Sequence, residues 1–250
     1  MAAPALQQRK VAGEFRREIN GMSATKRVIK KLYRTLLPES VRHSMLADRL
    51  KHKFGHNWLY DSDYYERVVE GPAARSAGRI AQSILEDFTV TRVIDVGCGT
   101  GALLQTLRDR GCEVFGLEYA EAALKYCRAR RLNVAKFDLK RDGFYDTRTF
   151  DIVISMEVAE HLPEMAADHY VDLLTRFSSI IVFSATPPSE GERDHVNEQP
   201  PSYWINKFRQ RGFEYAEELS QRWRETWKAS GDVESWYHQN LMIFRRVRAI

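Results

Sequence analysis

The stretch VIDVGCGTGALL, residues 93–104, decides how the rest of the chain is read. An apolar run closes at Asp95 and Val96, glycines stand at 97, 99 and 101, and a second apolar segment opens at Ala102. Such a pattern predicts a buried strand, a tight turn and a helix, in that order. Residues without a Cβ let the chain reverse sharply and bring its backbone close to a ligand. Gly97-x-Gly99-x-x-Ala102 alone would also fit a dinucleotide fingerprint, which is weak evidence by itself. Two details tip the balance away from it. Asp95 sits at the lip of the strand, two residues before the first glycine, where a dinucleotide site generally keeps an apolar residue. Gly101 also makes the spacing G-x-G-x-G.

Outward from this loop, apolar runs with the character of strands occur at 92–96, 112–118, 133–138, 150–156, 179–185 and 241–247. Amphipathic helical patterns lie at 75–88, 121–130 and 166–177. Strands alternating with helices predict a doubly wound α/β domain with a largely parallel sheet, helices on both faces, and its ligand beyond the carboxyl ends of the strands. No internal repeat or low-complexity tract interrupts the pattern.

The chain of 250 residues suffices for one sizeable domain and an appendage. Lys and Arg number 38 against 34 Asp and Glu, and the net charge of +4 is too mild to argue for a nucleic-acid binder. That charge is uneven: residues 1–56 hold 13 basic and 4 acidic side chains, a net of +9, which leaves −5 for the remainder. The organisation expected is therefore a basic helical N-terminal arm over 1–56 and a mildly acidic α/β domain over 57–250. The arm reads as a solvated face packed on the body or as a peripheral surface for anionic lipid or a polyanionic acceptor. No run reaches the roughly 20 apolar residues of a membrane span, and the opening residues carry no secretory pattern. Cys98, Cys112 and Cys127 have neither paired spacing nor even number, so a disulfide framework is not expected and a reducing cytoplasm is the compartment inferred.

Taken together, these residues resemble the class I S-adenosylmethionine (SAM)-dependent methyltransferases over about residues 60–250. The resemblance implies a Rossmann-like, seven-stranded, mostly parallel sheet. It also implies that Asp95, Gly97, Gly99 and Gly101 line the SAM loop, and that Glu118, 23 residues after Asp95 and followed by Tyr119, accepts hydrogen bonds from the ribose hydroxyls. Asp138 with Leu139 would meet adenine, and Met156 would line the cofactor pocket. Asp138 as a loop-capping residue and Glu118 as a solvated strand end are the bland alternatives.

Glu157, Glu160 and His161 form E-x-x-E-H after the fourth strand candidate. On one helical turn these offsets fall within roughly a 100° arc, and two carboxylates with an imidazole suit a divalent cation. His195, flanked by Asp194, Asn197 and Glu198, lies in a loop expected to fall beside them. This arrangement resembles metal-dependent O-methyltransferases of two kinds, those of ubiquinone biosynthesis and those acting on the 3′ end of small RNAs. The resemblance implies Mg2+ or another divalent cation on Glu157, Glu160, His161 and His195, chelated by adjacent acceptor oxygens. Within the same superfamily His161 or His195 also serves as a metal-free general base, or packs structurally, and these readings stay open. No Asn/Asp-Pro-Pro-aromatic stretch of amine methyltransferases follows the fourth strand.

The aromatic set Tyr203, Trp204, Phe208, Trp223, Trp227, Trp236 and Tyr237 reads as core, with some members available as a wall for a ring-shaped acceptor. Residues 186–240 are expected to contribute acceptor loops, 220–240 as an insertion between the last two strands, and Tyr60, Tyr64 and Tyr65 to close over SAM or to pack. The leading expectation is an O-methyltransferase acting on a hydroxyl of a sugar or glycoconjugate, a secondary metabolite or a catechol-like ring. An RNA ribose methyltransferase and a non-catalytic SAM-binding regulator are the alternatives. A homodimer with the arm crossing to its partner stays open.

Overall fold

The computed structural model describes residues 62–143, 149–188 and 195–247, apart from the side chain of Asp63. The basic arm of residues 1–56 and Tyr60 lie outside the described residues. From Tyr65 onward the chain forms one compact unit.

Seven strands form one sheet: β1 (Arg92–Val96), β2 (Glu113–Glu118), β3 (Val134–Lys136), β4 (Ile152–Met156), β5 (Ile180–Ser184), β6 (Phe213–Tyr215) and β7 (Leu241–Arg246), in the order β3-β2-β1-β4-β5-β7-β6. The pairs from β3 through β5 are parallel, and β7 runs antiparallel to both β5 and β6. This is the doubly wound, mostly parallel sheet that the alternating sequence predicts. The order reverses beside β1, so the crevice for a ligand opens between the ends of β1 and β4.

Alternation along the strands builds two cores. Ile94 and Val96 of β1, Val153 of β4, Phe183 of β5 and Phe244 of β7 point to one face, while Val93, Ile152, Ile154, Val182 and Ile243 point to the other. The first face is covered by α4 (Ala167–Phe177) and α5 (Pro201–Arg209), where Phe183, Trp204, Phe208 and Phe244 pack ring against ring. The second is covered by α1 (Glu70–Asp87), α2 (Ala102–Asp109) and α6 (Glu217–Ser230). Trp223 and Trp227 of α6 are buried there, and their indole N–H groups donate to Asp87 (2.5 Å) and Ser83 (2.9 Å) of α1. Those donors explain how two tryptophans go into the interior without stranding a polar atom. Two further helices are α3 (Glu121–Ala129) and the short α7 (Ser235–Asn240), which with α6 lies between β6 and β7.

Three local differences from the sequence pattern have physical causes. α1 starts at Glu70, not 75, and follows a π-helical turn at Tyr65–Val69. Pro72 has no N–H for the carbonyl four residues back, which favours a widened turn at that point. β3 is only three residues long, because the chain leaves the sheet at Phe137. β6 is equally short, and Phe-Glu-Tyr carries no alternation long enough to mark a strand.

The glycines of the first loop are held by packing as well as by conformation. Gly97 has φ +81°, and a Cβ there would fall 2.5 Å from Val158 Cγ2; Gly101 has φ +77°, and its Cβ would fall 2.5 Å from Leu132 Cδ1. Gly97→Ala is therefore expected to cost about 2–4 kcal/mol, strain in the left-handed region plus overpacking. Gly111→Ala, at φ +98° in open space, should cost only about 1–2 kcal/mol. Urea denaturation of both variants checks this, and equal losses would mean that Val158 yields freely.

Candidate active site

The first half of the site is the junction of β1 and β2. Leu117 O accepts the N–H groups of Gly97 (2.8 Å) and Cys98 (3.1 Å), folding the loop over the end of β2. Glu118 Oε2 accepts Gly99 N–H at 2.9 Å, and Oε1 accepts Tyr119 and Ala120 N–H at 2.7 Å each. Its side chain is thus a buried carboxylate in a ring of backbone donors, not a solvated strand end. Burial pushes its pKa up, and the three N–H bonds pull against that rise. A carboxylate offers about four acceptor positions, so these bonds leave about one for a ligand hydroxyl. Asp95 is buried close by, in register with Gly116 of β2 and Ile154 of β4. Desolvation, with the charge of Glu118 added, pushes its carboxyl up to about 8.

The other expected cofactor residues sit around this junction. Tyr119 lies half-buried between the ammonium groups of Lys136 and Lys140, 5.9 and 5.8 Å from its ring centre. Asp138 accepts Lys140 N–H at 3.0 Å, which makes it a turn-capping residue in this structure, and Leu139 is buried. Met156 is half-buried at the end of β4. Tyr65 is buried in the π-helical turn.

The second half follows β4 and β5. Glu157 is held at φ +54°, its N–H bonded to both Ser184 O (3.0 Å) and Ser184 Oγ (3.1 Å). The helical turn expected over 157–161 therefore begins only at Ala159, as one 3-10 turn over Ala159–His161. The two carboxylates nevertheless converge, because Thr186 Oγ1 lies 3.0 Å from Glu157 Oε2 and 3.3 Å from Glu160 Oε1. Asn240, at the end of α7, reaches both oxygens of Glu157 at 3.3 Å. Burial raises the pKa of both acids, and the Glu157 charge raises that of Glu160 further.

His195 arrives by way of the backbone. Val196 and Asn197 donate N–H to Glu160 O at 2.8 and 3.1 Å, pinning the loop onto the 3-10 turn. The His161 and His195 rings meet edge to face at 5.0 Å, and His195 Nδ1 lies 2.9 Å from Glu198 Oε1. Ligand atoms of Glu160, His161 and His195 all fall within 4.8 Å of one another, whereas Glu157 stands outside that group with Thr186 and Asn240. Glu160 Oε2 is buried with no hydrogen-bond partner. A divalent cation fits this donor set by its chemistry: an unsatisfied carboxylate oxygen and two imidazoles, one oriented by a carboxylate.

Thr186, Ser184 and Asn240 were not among the sequence candidates. Thr186 directly precedes Pro187-Pro188 but no spacing links it to Glu157, and Asn240 joins the site only through the fold. His169 is exposed, 3.3 Å from Asp142 O, and away from the cluster's ligand atoms.

Residues 94–174 match the family model described as "Methyltransferase domain". That segment, about a third of the chain, carries the glycine loop and the acidic strand ends in which the chain resembles the class I SAM-dependent methyltransferases. Among curated relatives, the ubiquinone biosynthesis O-methyltransferase of Alkalilimnicola ehrlichii is 26% identical over 169 residues, covering 64% of this chain and 63% of that one. The enzyme of the same name from Hahella chejuensis is 35% identical over 82 residues, 30% of this chain and 34% of its own. The match thus spans less than two thirds of these relatives' length. Magnesium protoporphyrin IX methyltransferase from Synechocystis PCC 6803 shares the fold at a TM-score of 0.53 and 15% identity, over 84% of this chain and 98% of its own. Among the described residues no helix is long and apolar enough to cross a membrane.

Asp95 gives the ligand-free protein a pH signature. Its carboxyl is about 8 in the folded chain against an ordinary 3.8, so its contribution to stability is complete below pH 3.8 and is lost as pH rises to about 8. Asp95→Asn abolishes that loss. Relative to the native protein its stability should rise by up to roughly 1.4 kcal/mol per pH unit across this window, then level off. Urea denaturation between pH 5 and 9 measures the difference; a pH-independent gap would refute the assignment.

Proposed function

We propose that this chain transfers the methyl group of SAM to a hydroxyl oxygen of a small or medium-sized acceptor, with a divalent cation at the Glu160–His161–His195 cluster. The observation that carries the proposal is the convergence of those three ligand atoms within 4.8 Å. Their segment abuts the glycine loop, as the close fit of Val158 over Gly97 requires. The names of the curated relatives support oxygen as the methylated atom.

SAM supplies an electrophilic methyl group beside a positive charge. The buried carboxylates Asp95 and Glu118 suit that charge: each is destabilised as an anion by burial, and a cationic ligand offsets part of the cost. Glu118 would take a ribose hydroxyl at its remaining acceptor position. Tyr119 and Leu139 would border the adenine, with Asp138 at its polar edge, and Met156 would line the slot between the two halves of the site. The glycine loop contributes backbone with no side chain in the way.

A hydroxyl oxygen needs help that an amine does not, because it must shed a proton as it attacks. A divalent cation lowers the pKa of a bound hydroxyl and fixes its position. Glu160, His161 and His195 would hold the cation, and Glu198 on His195 Nδ1 sets the tautomer and ring direction. Glu157 would stand in the second layer or complete the ligand set. Acceptors with adjacent oxygens, sugars and catechols among them, match such a centre best. The Glu198–His195 pair also supports a second reading, a metal-free base in which the carboxylate orients the imidazole.

Calorimetric titration of Mn2+ into protein saturated with S-adenosylhomocysteine separates the two. Saturable binding, weakened at least tenfold by His195→Ala and by Glu160→Gln, is the expected outcome. Saturable S-adenosylhomocysteine binding with no Mn2+ heat in the native protein would sink the metal reading and leave His195 as the base.

A further inference from the structure

Arg130 has no part in the chemistry just described, yet it joins three separate segments around the glycine loop. It caps α3, far in sequence from the segments it binds. Its Nη2 pairs with Glu70 Oε1 at the start of α1, its Nη1 donates to Thr100 O at 3.1 Å, and its Nε donates to Gln105 Oε1 of α2 at 2.6 Å. The guanidinium also lies 5.7 Å from the centre of the Tyr126 ring. Its own carbonyl accepts Arg108 Nη1 at 2.6 Å, which fixes the end of α3 in turn.

Glu70 is the first residue after the π-helical turn Tyr65–Val69, and that turn covers the loop. Val69 Cγ1 is 3.8 Å from the point a Cβ on Gly99 would occupy, the nearest heavy atom to that point. Gly99 is the loop residue whose N–H is bonded to Glu118. A π-helical turn is a rare conformation that occurs frequently at functional sites, and here the ion pair fastens its exit. The side chains of Arg130 and Glu70 are 16% and 25% exposed, so solvent screens the pair only in part.

We propose that Arg130 and Glu70 are positioning residues for the methyl donor: together they latch the Tyr65–Val69 turn over Gly99 and hold the Thr100 carbonyl, so that the loop is shaped before the ligand arrives. This rests on the SAM reading above and extends it to residues outside the binding motif. The planar fork of arginine is essential, because Nε, Nη1 and Nη2 each reach a different acceptor, and an ammonium has no such geometry. Lysine at 130 keeps the charge and loses the latch.

The test uses S-adenosylhomocysteine as the probe, by calorimetry and stopped-flow displacement, on the native protein, Glu70→Gln, Arg130→Lys and the double variant. Arg211→Gln serves as the control, since it breaks a surface network with Asp168 and Asp172 on α4. The expected result is a roughly tenfold rise in Kd for each single variant, mostly through faster release. The double variant should bind no worse than the weaker single one, and Arg211→Gln should bind as the native protein does. Amide exchange supplies a readout that a general loss of stability would not mimic: the probe should slow exchange over 65–70 in the native protein and fail to do so in Glu70→Gln. Folded Glu70→Gln and Arg130→Lys proteins with native Kd and native protection would overturn the proposal, and should Arg130→Lys not fold, Glu70→Gln decides alone. A native protein that does not bind the probe at all would instead overturn the SAM reading, and the latch with it.

Discussion

Glu118 is a carboxylate taken out of water at the end of a parallel strand, and the geometry of the whole nucleotide loop follows from how it is satisfied. Three backbone N–H groups from two directions close on it: Gly99 from the loop after β1, and Tyr119 and Ala120 from the exit of β2. An ionised group in such a place is tolerated only with donors of this kind. Gly99 can donate only if the loop turns back over Leu117, which the left-handed φ of Gly97 and Gly99 allows. The same closeness leaves no room beneath the loop. Gly116, paired in register with Asp95, has Cys98 Sγ, Leu104 Cδ1 and Val134 Cγ1 all 2.8 Å from where its Cβ would be.

A second set of constraints acts across the switch point. The end of β5 holds the segment that follows β4: Ser184 takes Glu157 N–H twice, and Thr186 reaches both acids of the 157–160 segment. Only one carboxylate at a time receives the threonine proton. The other must carry its own proton or meet a cation, because two buried like charges this close cannot both stay ionised unpaired. His161 closes the same 3-10 turn as Glu160, and His195 comes in on a loop fastened through Glu160 O. Glu160 is thus the residue that both halves of this cluster share, by its carboxylate toward Thr186 and by its carbonyl toward Val196 and Asn197.

How much of this the residue pattern discloses depends on the range of the interactions involved. β1, β2, β4, β5 and β7 are legible because each buries alternate side chains on two different cores, and Asp95 and Glu118 are legible because a charge at the end of an apolar run is expensive without a reason. β6 escapes notice, since three residues pairing with an already formed edge need no pattern of their own. Glu157, Glu160 and His161 are recognisable as a cluster, but not the means by which they meet. A left-handed Glu157 depends on Ser184, which lies 27 residues away on the neighbouring strand. Asn240 and Arg130 are harder still, being polar residues at helix ends whose partners are set by tertiary packing alone. Trp223 and Trp227 illustrate the converse: their burial is legible, while the partners that permit it, Asp87 and Ser83, lie more than a hundred residues earlier.

The two halves of the site are electrostatically complementary to their proposed ligands, not to each other. Asp95, Glu118, Glu157 and Glu160 all approach the crevice: burial above all, with the charges of Glu160 and Asp95 added, raises the pKa of Tyr170, and burial with the charges of Glu157 and Asp95 added raises that of Tyr237. Both hydroxyls are therefore held protonated, and Tyr170 makes a buried 2.6 Å hydrogen bond with Ser155, whose Oγ donates to Val96 O. That chain links the ends of β1 and β4, the strands that carry the two halves. Four acids around one crevice cost the ligand-free protein stability, and no lysine or arginine pairs with any of them among the described residues. An arrangement that spends stability on unpaired acids suits ligands that bring positive charge. A sulfonium on one side and a divalent cation on the other would meet that requirement at both ends. Of the common nucleophiles, the one that benefits most from such a pairing is an oxygen that must lose its proton beside the second charge.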